Sequence, residues 1–324
     1  MTSLNENSYK FRFSRYRDYF RWNVASNGQS ESTTRTTIHE AYRFWRWAHL
    51  DRSYDEITPA VAEEYLAYRM TVPARNKTRT PHPETIRSIR NRLKVFADYL
   101  IKVGYFKTNP WADVKGPRSA QRYIQPPSTA QIKEIIKLSG EMGRSPRMKA
   151  RNRAAVSFLV HTGVRCSEMV NLKRADVTRS DGRIRDDVKV FGKGSKERLV
   201  GLNQEVKTAL KNYFALREDS NDAMLLDVEG YPITNICVRA MMQRIKTHLN
   251  QTRPDLAMRT LGTHDLRRWH FNKMARIGIP YNQMKEVGGW STDTAMKHYI
   301  HYGTLEVAAK NHAQLDLTKA FDAI

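Results

Sequence analysis

The chain has 324 residues, of which 40% are hydrophobic and 27% are charged. This length and composition predict two soluble domains that each bury a core. They exclude a membrane protein, because the chain contains no apolar run of about eighteen residues. They also exclude a secreted disulfide framework, because Cys166 and Cys237 are the only cysteines and the first ten residues are polar, so we expect a cytoplasmic protein.

The chain is strongly basic. Lysine and arginine number 55 against 33 acidic residues, which gives a net charge of +22. Both halves share the excess, with +10 in residues 1–125 and +12 in residues 126–324. A basic excess of this size attracts polyanions, of which nucleic acid is the commonest large one. We therefore predict that both halves contact nucleic acid.

The first half has the apolar spacing of α-helices. One helix is predicted from Thr37 to Leu50, and a second begins at the capping pair Thr58–Pro59. A third is predicted from Pro83 to Val103, with Gly104 ending it. Three basic side chains lie off the apolar stripe of this third helix and are candidates for DNA binding: Arg87, Arg90 and Lys94. The alternative for them is an ordinary solvated helix surface.

A proline-rich and basic segment separates the two halves. It runs from Asn109–Pro110 to Pro126–Pro127, and proline disfavours a helix in the residue before it. An extended linker is therefore predicted, in which Arg118 and Arg122 are candidates for contact with the DNA backbone. The chain is accordingly divided into a helical domain at residues 1–122 and a second domain at residues 123–324.

The second domain is predicted to be mostly helical with one β-hairpin. The strands of this hairpin are indicated by four apolar residues around a glycine-containing turn: Val188, Val190, Leu199 and Val200. The turn runs from Phe191 to Lys196 and carries Lys193 between two glycines, which permit the backbone angles of tight turns. An ordinary solvated turn residue is the alternative for this lysine.

Two further segments place polar side chains beside glycines in apolar surroundings. In the first, Thr162–Glu168, Arg165 lies at the junction of two predicted helices. Helix starts favour anions, and an arginine there can bind two oxygens of a phosphate. The alternative is a structural ion pair between Arg165 and Glu168. In the second segment, His264 and Arg267 lie three residues apart and share one helix face.

The last predicted helix carries two candidate nucleophiles. Ser291 or Thr292 is expected to cap it, and Tyr299 follows about two turns in. Tyr302 lies one turn further on nearly the same face and is the rival. After it, Leu305, Val307 and Ala308 suit a short helix. The pair His298 and His301 imitates a metal site, but no third ligand is evident, so no metal is predicted.

These segments resemble the motifs of the tyrosine recombinase (lambda-integrase, or phage integrase) family, in its simple two-domain Xer/Cre-like form. The motifs occur in family order over about 135 residues: Thr162-Gly163-Val164-Arg165, Gly192-Lys193-Gly194-Ser195-Lys196-Glu197-Arg198, His264-Asp265-Leu266-Arg267, Gly289-Trp290-Ser291, and a tyrosine nine residues after the tryptophan. That spacing selects Tyr299 and not Tyr302. Arg268 departs from the pattern, because Xer-type members often carry a second histidine there, and it receives no role.

The resemblance implies a mainly α fold, with a helical, SAM-like core-binding domain followed by a mostly α catalytic domain that has a small β-hairpin sheet. It implies a site-specific DNA recombinase that cleaves and rejoins DNA through a 3′-phosphotyrosine, for integration, excision or resolution of DNA, without cofactor, ATP or metal. The implied catalytic set is Arg165, Lys193, His264, Arg267, Trp290 and Tyr299.

The family chemistry assigns each of these residues a role. The two arginines and the indole N–H of Trp290 would bind the phosphate, and Lys193 would protonate the leaving 5′-oxygen. His264 would orient the phosphate or assist proton transfer. Tyr299 would attack the phosphorus.

The resemblance also implies partners. These are double-stranded DNA with a short inverted-repeat core site and three further copies of the chain, in a tetramer on two duplexes within the nucleoid. The apolar tail Leu315–Ile324 would dock on a neighbouring subunit or fold onto its own domain. The alternative functions are a type IB topoisomerase-like or telomere-resolving enzyme and a catalytically decayed DNA-binding accessory protein.

Overall fold

A computed structural model of the chain describes residues 6–48, 56–73, 80–118, 123–192 and 197–313, with side chains from residue 15 onwards. The chain divides into two compact units, Met1–Gln121 and Arg122–Ile324, a boundary one residue from the predicted one. The predicted mainly α fold with one small antiparallel sheet is confirmed. Within the described residues, every helix is too short or too polar to span a membrane.

The described part of the first unit contains four helices: α1 Glu6–Ala25, α2 Glu31–Trp47, α3 Pro59–Thr71 and α4 Pro83–Lys102. α2 begins earlier than predicted because the Ser30 hydroxyl accepts a hydrogen bond from the Thr33 backbone N–H and caps the helix there. The predicted start of α3 is confirmed, with the Thr58 hydroxyl as cap and Pro59 in the first turn. α1 lies outside the predicted helices.

Aromatic side chains form much of the first unit's core. Tyr19 of α1 meets Phe96 and Tyr99 of α4 edge to face, with ring centroids 5.0 and 5.2 Å apart. Phe44 of α2 packs against Trp111 at 5.1 Å, so the chain after α4 is drawn into the same core. Such contacts add to the stabilisation from burial itself.

One of the predicted DNA-binding arginines also has a structural role in this unit. Arg90 of α4 donates through Nε to the Val114 carbonyl at 2.8 Å and through Nη2 to the Ala112 carbonyl at 2.9 Å. It thereby ties α4 to the start of the linker. Arg87 is exposed and its Nη1 lies 3.4 Å from Glu84.

The described part of the second unit contains nine helices, two strands and a short 3-10 turn. They are α5 Thr129–Glu141, α6 Pro146–Thr162, α7 Cys166–Val170, α8 Arg174–Val177, β1 Asp187–Phe191, β2 Glu197–Gly201, α9 Gln204–Phe214, α10 Asn235–Thr252, the turn Pro254–Leu256, α11 Thr263–Arg276, α12 Tyr281–Gly288 and α13 Asp293–Ala313. The strands pair antiparallel, with Val188 opposite Val200 and Phe191 opposite Glu197, as the hairpin prediction requires.

Two apolar clusters hold this unit together. The larger one surrounds α6, in which Ala154, Ala155, Phe158 and Leu159 are at most 1% exposed. The smaller one joins α11, α12 and α13. α6 is therefore the central helix of the larger cluster, and the candidate site lies near its C-terminal end.

The end of the described chain continues the helix that carries Tyr299. Leu305, Val307 and Ala308, for which a short helix was predicted, lie in α13, which runs without a break to Ala313. Leu305 is 52% exposed, while Gly303 is buried within the helix. Three predicted features lie outside the described residues, namely Lys193, Arg122 and the tail Leu315–Ile324.

Candidate active site

The end of α6 sets the position of the first arginine. Gly163 has a φ of +62°, and a Cβ there would lie 2.5 Å from the ring of His270, so a glycine is required on both counts. The chain then turns into α7, and Arg165 occupies the position before its first residue. The Arg165 guanidinium donates to Glu168 Oε1 at 2.9 Å and to the Gly289 carbonyl at 3.4 Å.

Glu168 binds two arginines at once. Its side chain is 3% exposed, and it accepts from Arg165 and, through both oxygens, from Arg198 of β2 at 2.9 and 2.7 Å. Burial alone would raise the pKa of Glu168, but the hydrogen bonds from Arg198 and Arg165 outweigh it and lower the pKa below its ordinary value. The structural ion pair considered as an alternative for Arg165 therefore exists. It leaves the Arg165 side chain 30% exposed.

Arg267 of α11 is buried, with 1% exposure. Its Nη1 donates to the Gly163 carbonyl, and its Nη2 donates to the Gly288 carbonyl at 2.6 Å. Three aromatic rings surround its guanidinium, with centroids at 4.8, 4.8 and 5.2 Å: Phe271, Trp290 and Tyr299. Burial, with a smaller contribution from the charge of Arg165, lowers the pKa of Arg267 to about 10.

The hydroxyl of Tyr299 lies beside His264. The distance from this hydroxyl to His264 Nδ1 is 3.3 Å. Partial burial, followed by the charges of Arg267 and Arg268, lowers the pKa of His264 below its ordinary value. The lowered pKa favours the neutral imidazole, which is the form that can accept a proton.

Tyr302 is arranged differently. Its hydroxyl donates to the backbone carbonyl of Tyr123 at 3.2 Å. Of the two candidate tyrosines, Tyr299 is the one whose hydroxyl bonds to a predicted catalytic side chain and whose ring covers the buried arginine.

α13 is capped where predicted, since the Thr292 hydroxyl accepts from the Ala295 N–H at 3.3 Å.

Residues 128–305, more than half of the chain, match the Phage integrase family. The chain belongs to this family. Its sequence is 24% identical over 297 residues to the tyrosine recombinase XerC of Thermodesulfovibrio yellowstonii, covering 88% of this chain and 91% of that one. It is 23% identical over 298 residues to XerD of Staphylococcus saprophyticus, covering 90% and 94%.

Solved structures agree on the fold. The Tn1549 transposon integrase in complex with circular intermediate DNA matches with a TM-score of 0.67 and 18% identity, over 92% of this chain and 98% of that one. XerH bound to its palindromic difH substrate matches with a TM-score of 0.68 and 16% identity, over 95% and 89%. The predicted activity, that of a site-specific tyrosine recombinase acting on DNA, is confirmed, and the topoisomerase and accessory-protein alternatives are not favoured.

In this member of the phage integrase family, Gly288 leaves space for the indole ring of Trp290. Trp290 is 7% exposed, and its ring lies 4.4 Å from Phe271 and 5.2 Å from Tyr299. A Cβ on Gly288 would lie 2.3 Å from the indole, so the tryptophan reaches Arg267 only because the residue is a glycine. The predicted donation from its indole N–H to a phosphate stays a prediction.

A cleft lies beside Arg165 and His264. It has a volume of about 420 Å³ and is lined by Arg165, Arg239 and His264, together with the first residues of α10 and α11. Its two charged side chains, Arg165 and Arg239, are both cationic, which suits a phosphodiester.

Three residues that carry this geometry had no assigned role in the sequence analysis. Arg198 belongs to the lysine motif but binds Glu168, and its Nε donates to the Val287 carbonyl at 2.7 Å. His270 lies beneath Gly163, where burial lowers its pKa to about 4. Asn272 connects α11 to α13. The motif spacing places Arg198 near the site, but no local pattern marks the other two.

The remaining predicted residues lie away from these contacts. Arg118 is exposed, and DNA contacts by Arg118, Arg87, Arg90 and Lys94 remain predictions. His301 stacks on the ring of Tyr123 at 3.4 Å, with His298 at 6.2 Å from the same ring. Among the described residues, no group of three histidine, cysteine or acidic side chains has the arrangement of a metal site.

Proposed function

We propose that this recombinase cleaves DNA by attack of the Tyr299 phenol oxygen on a backbone phosphorus. The new bond is a 3′-phosphotyrosine, and the 5′-oxygen leaves with a proton. Rejoining is the reverse reaction with a 5′-hydroxyl as nucleophile. The observation that carries this proposal is the position of the Tyr299 hydroxyl, 3.3 Å from His264 Nδ1, in a residue whose ring lies over the Arg267 guanidinium.

The phenol must lose its proton during the attack. Ionising a free tyrosine at pH 7 costs about 4 kcal/mol, because its ordinary pKa is near 10. His264 is the proposed proton acceptor for Tyr299, because its Nδ1 lies 3.3 Å from the hydroxyl and its lowered pKa favours the unprotonated imidazole.

The charge that develops on the phosphate is stabilised by fixed donors. Arg165 donates to the Gly289 carbonyl and Arg267 donates to the Gly288 carbonyl. Because these carbonyls are consecutive at the end of α12, the two guanidiniums are held side by side. With the indole N–H of Trp290 as a third donor, each preorganised contact contributes roughly 3–4 kcal/mol to transition-state binding.

Lys193 is the proposed general acid for the 5′-oxygen, on the strength of its motif. It lies outside the described residues, between β1 and β2. The arginines neutralise the phosphate and the phosphotyrosine conserves the bond energy, so the proposed reaction uses neither metal nor ATP.

The proposed substrate is double-stranded DNA with a short inverted-repeat core site, bound by a tetramer on two duplexes in the cytoplasm, at the nucleoid. The net charge of +22 supports a DNA partner. By analogy, the structure of XerH bound to a palindromic DNA substrate supports an inverted-repeat DNA site. The first unit is proposed as the core-binding domain and the second as the catalytic domain.

A covalent trapping experiment tests the proposal. On a nicked suicide duplex, Tyr299→Phe is expected to bind DNA with wild-type affinity and to form no covalent adduct, because the attacking oxygen is gone. Tyr302→Phe is the matched control and should still form the adduct. An adduct that persists in Tyr299→Phe and disappears in Tyr302→Phe would transfer the role to Tyr302.

A further inference from the structure

One buried amide side chain lies between α11 and α13, beside the peptide group of Tyr299. Asn272 of α11 is 2% exposed. Its Nδ2 donates to the Tyr299 carbonyl, and also to the Arg268 carbonyl at 2.8 Å. Its Oδ1 accepts from the Gly303 backbone N–H at 2.6 Å. Both ends of the amide are therefore satisfied, and two of its three partners belong to α13.

The two α13 groups that Asn272 binds are natural partners of each other. In an α-helix, the N–H of one residue points to the carbonyl four residues earlier, which for Gly303 is Tyr299. Asn272 contacts both groups and so enters this rung of the hydrogen-bond ladder. Because side chains that insert into a ladder bend the helix locally, the course of α13 at Tyr299 depends on α11 as well as on α13 itself.

Gly303 permits this close approach. A Cβ at this position would lie 2.5 Å from the Asn272 backbone oxygen and 2.9 Å from Ala275 Cβ. Contacts this short would force the two helices apart. Asn272 and Gly303 thus form a matched pair, in which one supplies the hydrogen bonds and the other the space.

α11 also carries the two groups that surround the Tyr299 phenol, His264 and Arg267. Any shift of α13 along or away from α11 changes both distances together. We infer that Asn272 is a positioning residue that sets the Tyr299 phenol against His264 and Arg267. This inference rests on the proposed role of Tyr299 as nucleophile.

The rate of covalent attachment under single-turnover conditions tests it. Asn272→Ala should bind the duplex like the wild type and attach to it roughly a hundredfold more slowly, since small misplacements of reacting groups have effects of this size. Gly303→Ala approaches the same contact from the other helix and should also slow attachment. Peptide mapping of the adduct shows whether Tyr299 is still the attached residue.

Asn272→Asp separates positioning from folding. A carboxylate keeps the acceptor for Gly303 but sets negative charge against two carbonyls, so attachment should be slow at neutral pH. Burial raises the pKa of a carboxyl group, and its protonated form donates again, so the rate relative to wild type at the same pH should recover as the pH falls. The charged side chains one turn away are Arg268 and Arg276 on α11 and Glu306 on α13. The wild type and Asn272→Asp share these side chains, so their titration does not change the ratio of the two rates.

Asn152→Ala is the matched control. Asn152 is 5% exposed in the same unit, and its amide bonds to Met142 and Arg151 instead of α13. It should lower the unfolding temperature and leave the attachment rate unchanged below that temperature. Wild-type attachment by Asn272→Ala, or equal losses in both variants, would overturn the inference. A wild-type protein that forms no adduct at Tyr299 would instead refute the proposed function.

Discussion

The two sides of the candidate site are held by different forces. On the side of α7 and β2, a buried carboxylate pairs with two arginines, at distances of 2.9 and 2.7 Å from Glu168. On the side of α11 and α13, Tyr299 is held by neutral groups, the imidazole of His264 and the amide of Asn272. Its ring is the third face of the cage around Arg267.

This difference matches what each side has to do. The proposed phosphate clamp works best when its donors are fixed before the substrate arrives, and buried ion pairs are costly to break one partner at a time. The phenol has to pass its proton to His264 and reach phosphorus. A single neutral hydrogen bond of 3.3 Å to His264 holds the hydroxyl in place without a large cost of release.

Replacing each of the two site arginines by lysine should separate the two sides of the site. Arg165→Lys and Arg267→Lys should each lower the rate of covalent attachment by roughly a hundredfold to a thousandfold, because each loses one preorganised donor to the phosphate. Their stabilities should differ. Arg267 binds two buried carbonyls, and a lysine serves only one well, so its variant should lose a further ~1–3 kcal/mol of folding free energy.

Attachment rates on a suicide duplex and urea unfolding curves measure the two effects. Arg165→Lys should unfold almost like the wild type, because Glu168 retains its two-oxygen contact with Arg198. If attachment and stability fall in equal measure for Arg165→Lys, the residue is structural and the clamp needs another cation.

The ionic side is tested next through its shared carboxylate. Glu168→Gln leaves Arg198 without its counter-charge, and the Arg198 side chain is only 7% exposed, so the variant should lose roughly 3–5 kcal/mol of folding free energy at pH 7. The pKa of Glu168 is lowered in the folded protein, so the stability it contributes is present above its unfolded pKa and is lost as the pH falls through the lower folded value.

Unfolding curves between neutral pH and about pH 3 check the sign of this effect, since the unfolded carboxyl titrates near 4.3. The wild type and Glu168→Gln should differ most at neutral pH and converge at the acid end. Glu306→Gln is the matched control, because Glu306 pairs with Arg276 at the surface, with 57% exposure, and should change stability by at most about 1 kcal/mol. If the free energies of unfolding of the two proteins differ by the same amount at every pH, ionisation of Glu168 does not stabilise the fold.

The sequence predicts the motif residues of the site but not most of the contacts that position them. The motif residues were predictable because the family chemistry repeats them at short spacings, as in His264 with Arg267 and Trp290 with Tyr299. Apart from the Arg165–Glu168 ion pair, the contacts that hold them are long-range. Glu168 meets Arg198 thirty positions later, and Arg267 reaches a carbonyl more than a hundred residues away, at Gly163. Spacing along the chain contains no signal for such pairs.

The differences between the predicted and the observed fold have similar causes. The short helix predicted around Leu305 is part of α13, because Gly303 does not end that helix and instead packs against Asn272. The early start of α2 depends on a cap, Ser30, ahead of the apolar stripe used to predict it. Asn272 was missed because an asparagine inside a helix has no pattern that separates a buried clamp from a surface residue.

In the first unit, two arginines of the basic helix α4 should differ more modestly. Arg90 donates to two backbone carbonyls, whereas Arg87 is exposed and has only a 3.4 Å contact with Glu84. Arg90→Ala should therefore cost roughly 1–3 kcal/mol of folding free energy. Arg87→Ala should change stability by less than about 0.5 kcal/mol.

DNA binding should separate the two arginines in the opposite direction. If Arg87 binds a phosphate, its loss weakens binding evenly across sequences and reduces the slope of log affinity against log salt concentration by about 1. Arg90→Ala, measured well below its unfolding temperature, should change this slope less, because its guanidinium already serves the Val114 and Ala112 carbonyls. An unchanged slope in Arg87→Ala would make the outer face of α4 an ordinary solvated surface, and the DNA-binding face of the first unit would have to be sought on another helix.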